Sequence, residues 1–126
     1  MENRRKHTRI PLVTMARISP HGLQNTVDAL VRDISTDGMG VYVKGPYQKG
    51  DVLLVKISVK TEEGEVINGS LHCLVAWAKP IPESKQYAVG LEFHDLEKKN
   101  PTLYAYIKRM EGIQERHLHL VKDKEE

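Results

Sequence analysis

Apolar and polar residues alternate with a period of two along most of this chain, the signature of strands with one buried face. Leu12 to Ile18 is a short, apolar run of β-favouring residues, and Ser19-Pro20-His21-Gly22 closes it with turn chemistry. Val27, Ala29 and Val31 alternate with Asp28, Leu30 and Arg32, which predicts a second strand leading into Asp33-Ile34-Ser35-Thr36-Asp37-Gly38. Met39, Val41 and Val43 define a third, ended by Gly45-Pro46. Leu53, Val55, Ile57 and Val59 stand opposite Lys56, Ser58 and Lys60 in a fourth, which Glu62-Glu63-Gly64 turns. The odd positions from Ile67 through Gly69, Leu71, Cys73 and Val75 to Trp77 predict a long fifth strand, with Gly69 marking a bulge or bend. Tyr87, Val89, Leu91 and Phe93 supply the sixth. Six strands without an intervening helix point to an antiparallel sheet, and a small barrel is its simplest closure.

Beyond Glu97 the period changes. Asn100 is placed as an N-cap, Pro101 as the first helical residue, and Leu103, Ile107 and Met110 fall three and four apart. Gly112 either ends this helix or sits inside it at a cost of about 1 kcal/mol. The expected organisation is a flexible basic arm over residues 1–11, a barrel over 12–96, one C-terminal helix over 97–121 and a frayed tail over 122–126.

With 126 residues, 40% hydrophobic and 29% charged, the chain has the size and composition of one soluble domain. Its apolar runs are too short to cross a bilayer and Met1 to Arg9 is polar, so the expectation is a cytoplasmic protein without membrane insertion. Cys73, the single cysteine, excludes an intrachain disulfide and fits a buried small hydrophobe on the face of Leu71 and Val75. The net charge of +2 argues against a duplex nucleic-acid binder, and one Trp with one Phe leaves few platforms for stacking single strands. The distribution of charge says more: Arg4, Arg5, Lys6 and Arg9 crowd the first nine residues against Glu2 alone.

Two constellations carry chemistry. Arg5 and Arg9, with Arg4 before them, are guanidinium forks able to grip phosphate bidentately or to meet the O6 and N7 edge of guanine; taken alone they read more readily as a solvated basic terminus. In the 33–38 loop, the Asp33 carboxylate can accept from guanine N1 and N2, the Ser35 hydroxyl can bond phosphate or base, and Gly38 permits close backbone approach. The same residues also suit an Asx-turn that satisfies its own backbone.

Taken together, Arg5-xxx-Arg9 and the later Asp33-x-Ser35-xx-Gly38, running into Met39-Gly40-Val41-Tyr42-Val43, resemble the PilZ domain family, whose signature is RxxxR followed by [D/N]xSxxG. Val75-x-Trp77 and Gly90-Leu91-x-Phe93 resemble its fifth and sixth strands. The resemblance covers the chain from about Arg4 to the terminal helix. It implies a six-stranded antiparallel barrel that binds cyclic di-GMP, a bacterial second messenger, as ligand, with no cofactor. By that analogy Arg5 and Arg9 grip phosphates and guanine edges, Asp33, Ser35 and Gly38 form the opposing wall, and Gly90 joins the site from the sixth strand. A basic residue at Arg4 implies an intercalated pair of nucleotides. Binding would reshape the protein and signal to a protein partner; the alternative is an interaction adaptor with the same barrel that takes no nucleotide.

Other readings are weaker. His117-x-His119 and His72-Cys73 supply no three- or four-ligand metal set. No histidine is placed to activate Ser35 and no glycine-rich phosphate loop opens a helix, so catalysis is not expected.

Overall fold

A computed structural model describes the backbone of residues 10–20 and 26–124 and the side chains of 14–19 and 26–116. The six strands are β1 (Ile10–Pro20), β2 (Val27–Ile34), β3 (Gly38–Lys44), β4 (Val52–Lys60), β5 (Val66–Pro80) and β6 (Gln86–Phe93). They form a closed barrel in the order β1-β2-β3-β6-β5-β4, every pair antiparallel. The hairpins β1–β2, β2–β3, β4–β5 and β5–β6 follow the chain, whereas β3 pairs with β6 and β1 with β4 to close the ring. Closure leaves no unpaired edge.

The period-two residues fill the interior. Ile18, Val31, Ile34, Met39, Val41, Val43, Leu53, Val55, Val59, Val75, Val89 and Leu91 are all buried, and Cys73 lies among them at 1% exposure. Burial pushes the Cys73 thiol up to about 12, which keeps it protonated and suits it to packing rather than chemistry.

Alternation fails at two bulges. Between β2 and β3 the register slips from Val31–Val41 to Asp33–Gly40, so Arg32 and Asp33 both point outward and Ile34 returns to the core. Between β5 and β6 it slips from Val75–Leu91 to Trp77–Gly90. This corrects two sequence expectations. Trp77 leaves the inward row and stands 37% exposed on the outer face. Gly69 carries no bulge: it pairs with Ile57 in an unbroken ladder, and a Cβ there would meet Asn100 Nδ2 at 3.1 Å and Leu103 Cδ2 at 3.4 Å. Gly69 makes room for the helix that closes the barrel end.

The helical region is two elements, α1 (Leu96–Lys99) and α2 (Pro101–Lys124). Asn100 breaks them with φ −149° and ψ 79°, as expected of a residue held out of the α region by the following proline. Its Oδ1 accepts the Leu103 N–H at 3.1 Å, the N-cap read from the sequence, and its Nδ2 donates to the Asn68 carbonyl at 3.1 Å, tying the cap to β5. Helix α2 continues through Gly112, where an added Cβ would meet only Arg116 Nη1 at 3.6 Å. No helix among the described residues is long and apolar enough to cross a membrane.

Candidate ligand-binding site

The two bulges flank one cross-strand pair of glycines, Gly40 on β3 and Gly90 on β6. Glycines facing outward from adjacent strands make a floor without side chains, and each is approached from its far side. An added Cβ on Gly40 would meet Arg32 Nη2 at 2.7 Å and Asp33 Oδ1 at 3.0 Å, whereas one on Gly90 would meet Trp77 Nε1 at 2.2 Å. A cation and a carboxylate therefore lie over Gly40, and an indole lies over Gly90 on the neighbouring strand.

Asp33 is held from both sides. Its Oδ1 accepts the Gly40 N–H at 3.1 Å, and its Oδ2 accepts from Arg32 Nε at 3.0 Å. Hydrogen bonding to Tyr42, followed by the attraction of Asp33, keeps the Arg32 guanidinium more firmly protonated than usual, against the opposing effect of burial. The guanidinium carbon also lies 5.7 Å from the Tyr42 ring centroid, and Lys79 Nζ lies 5.9 Å from the Trp77 ring. Cations thus flank the floor on both sides.

The loop after Asp33 is folded on itself. Ser35 N–H donates to the Gly38 carbonyl at 2.8 Å, the Ser35 hydroxyl donates to the Asp37 carboxylate and lies 3.3 Å from the same carbonyl, and the Phe93 N–H binds the Asp37 carbonyl at 2.9 Å. Ser35 is 0% exposed. Its hydroxyl shapes the wall from inside, as the turn reading anticipated. Gly38 has a backbone reason to be glycine, since its Cβ would fall 2.2 Å from the Leu91 carbonyl oxygen.

Asp33, Gly38 and Gly90 are thus gathered on one side of the barrel, with Ser35 beneath. Arg4, Arg5 and Arg9 lie outside the described residues. The backbone that follows them is placed: Ile10 pairs with Ile34 and Pro11 with Asp33, so β1 begins alongside the loop. The sequence reading missed Arg32, Gly40 and Trp77 as members of this site. Gly40 and Gly90, both at outward positions of alternating strands, were the available signal. Among the described residues no cluster of three or more His, Cys, Asp or Glu side chains could hold a metal ion.

Replacing Gly90 by alanine tests the indole's seat. The atoms it displaces, Trp77 Nε1, Cε2 and Cδ1, belong to a partly exposed indole rather than to backbone, so the barrel should survive at a cost within the ~1–3 kcal/mol range for overpacking. Trp77, the only tryptophan, should swing off the strand and its fluorescence emission should shift to the red. An unshifted spectrum would show that the indole does not rest on Gly90.

The chain is thus a small closed antiparallel barrel with a pair of glycines beside a tightly folded loop. The chain belongs to the PilZ domain family, whose model matches residues 3–109. No curated protein matches it in sequence. Among solved structures it is similar to the Bacillus subtilis inhibitor of motility MotI, with a TM-score of 0.66 at 22% identity, covering 86% of this chain and 52% of that one. It is also similar to the PilZ domain of Escherichia coli YcgR with c-di-GMP, with a TM-score of 0.60 at 19% identity over 97% of this chain and 99% of that one. The Escherichia coli YcgR complex with c-di-GMP gives 0.61 at 17% identity, covering 98% of this chain and 51% of that one. The chain therefore spans about half the length of MotI and of that YcgR chain. At these identities the likeness concerns the fold.

Proposed function

We propose that this protein is a cyclic di-GMP receptor that changes shape on binding and signals to a protein partner, acting as a binding module rather than an enzyme and working in the cytoplasm. The observation that carries the reading is the start of β1. Arg9 is joined directly to Ile10, which pairs with Ile34, while Pro11 pairs with Asp33. The Arg5-xxx-Arg9 motif thus leads straight into the strand that borders Asp33.

In this reading the arginines grip the phosphates and the O6 and N7 edges of guanine. Asp33 accepts from guanine N1 and N2, Ser35 fixes the shape of the wall, Gly38 lets β3 close on β6 beside it, and Gly90 seats the Trp77 indole that borders the site. Trp77 offers the outer face of its indole for stacking. Arg4 is assigned to a second, intercalated nucleotide. Closure of the Arg4–Arg9 segment over the dianion gives a partner a new surface to read. The cross-strand pair Met15 and Leu30, 53% and 41% exposed beside Tyr42, supplies apolar area for such a contact.

The test is an isothermal titration with cyclic di-GMP, run beside Arg5→Ala and Arg9→Ala and with GTP as control. The parent should bind saturably, and each variant should lose about 1–3 kcal/mol, a five- to roughly 150-fold weakening. The stoichiometry checks the role of Arg4. No heat and no shift in melting temperature for the parent would overturn the receptor reading in favour of the adaptor; equal affinity in both variants would overturn the site.

A further inference from the structure

Helix α2 turns a carboxylate toward the barrel. Leu103, Ile107 and Glu111 recur every four residues, so Glu111 takes the third position of a stripe whose first two side chains are 0% exposed. Glu111 is itself 5% exposed. A buried carboxylate persists only where donors or cations meet it. Lys108 Nζ stands 4.0 Å from one of its oxygens, and the Thr36 backbone N–H donates to the other at 3.3 Å.

Thr36 is the middle of the Asp33–Gly38 segment and is 8% exposed beneath the helix. The bonds of Ser35 stay within the loop, and that of the Asp37 carbonyl goes to β6. The Thr36–Glu111 bond is of another kind, joining the loop to a helix residue 75 positions later. At 3.3 Å the bond is long, but its acceptor is a carboxylate in a water-poor setting, and it ties the loop directly to the helix.

We infer that Glu111 is a positioning residue for the ligand site: by accepting from Thr36 it fixes the loop that carries Asp33 and Gly38, so that docking of α2 and occupancy by cyclic di-GMP favour one another. The inference rests on the receptor reading above. Coupling of this kind is reciprocal: whatever factor helix docking adds to nucleotide affinity, bound nucleotide returns to helix docking. Occupancy on one side of the barrel is thereby felt at the helix.

Two variants isolate the tether. Glu111→Gln keeps a carbonyl oxygen that can accept from Thr36, whereas Glu111→Leu keeps an apolar side chain in the buried position and removes the acceptor. Titrated with cyclic di-GMP, Glu111→Leu should bind on the order of tenfold more weakly and Glu111→Gln within about threefold of the parent. Amide hydrogen exchange read alongside should be faster at Thr36 in Glu111→Leu and unchanged at Val41 and Val89, which separates positioning from general loosening. In the parent, saturating nucleotide should slow exchange at residues 103–111 of α2 as well as at 33–38, a readout that stands even if Glu111→Leu does not fold. Parental affinity in a folded Glu111→Leu, or no slowing in α2 at saturation, overturns the inference. A parent that binds no cyclic di-GMP sinks the receptor reading instead, and the Thr36 exchange rate in Glu111→Leu then decides whether the tether holds the loop.

Discussion

Gly38→Ala should cost this barrel about 3 kcal/mol or more, at the upper end of what inserting a single methyl into a packed site exacts. The new Cβ would lie 2.2 Å from the Leu91 carbonyl oxygen, 3.2 Å from the Leu91 carbonyl carbon and 3.4 Å from Glu92 Cα. All three are backbone atoms of β6, so no rotamer change relieves the clash. Relief requires β3 to part from β6 where Gly38 pairs with Glu92 and where the Phe93 N–H binds the Asp37 carbonyl. In a closed barrel the displaced strand has no free edge to move toward, and the strain spreads to neighbouring pairs. Against a typical domain stability of ~5–15 kcal/mol, this is a large fraction. Urea denaturation of Gly38→Ala beside Gly90→Ala checks the argument, since the Gly90 substitution meets a side chain that can swing away. Equal midpoints for the two variants would contradict it. Because the Gly38 carbonyl also closes the loop with the Ser35 N–H, the same substitution should abolish nucleotide binding in whatever fraction remains folded.

What the sequence disclosed and what it hid have physical reasons. Six strands were legible because inward side chains keep a period of two, and a one-residue slip of register is excluded where every second residue, as from Leu53 to Val59, is buried. Asn100 and Pro101 were legible because capping is local chemistry, and the Asn100 Oδ1 to Leu103 N–H bond is its expected geometry. The bulges were not, because one extra residue leaves no mark on composition; it changes only which strand position faces which partner. That single-residue slip carried Trp77 outward and set Arg32 beside Asp33. Gly69 was misread for a related reason, its demand for space coming from Asn100 and Leu103, more than thirty positions away in the chain. Asp33, Ser35 and Gly38 announced a loop of special chemistry, but the buried orientation of Ser35 depends on contacts made only in the folded chain. Glu111 had one signal, its place four residues after Ile107 on the inward stripe.

That stripe is also where the last large effect is expected. Ile107 is 0% exposed at the junction of α2 with the barrel, and Ile107→Ala should destabilise the protein by about 2–5 kcal/mol, the sum of lost burial and an unfilled cavity. Ile113 lies six positions later on the same helix and is 40% exposed, so Ile113→Ala should change stability by no more than about 0.5 kcal/mol. Both substitutions replace isoleucine by a strong helix former, so their difference isolates packing from helix propensity. Denaturant midpoints at unchanged slope measure it. If the two variants unfold together, α2 is not docked as described. If they differ as expected, the consequence reaches the loop: Ile107 and Glu111 sit one turn apart, so weakening the first loosens the hold of the second on Thr36. The barrel encloses a core of its own, yet the Asp33–Gly38 loop is also held from outside the barrel, by helix α2 through Glu111.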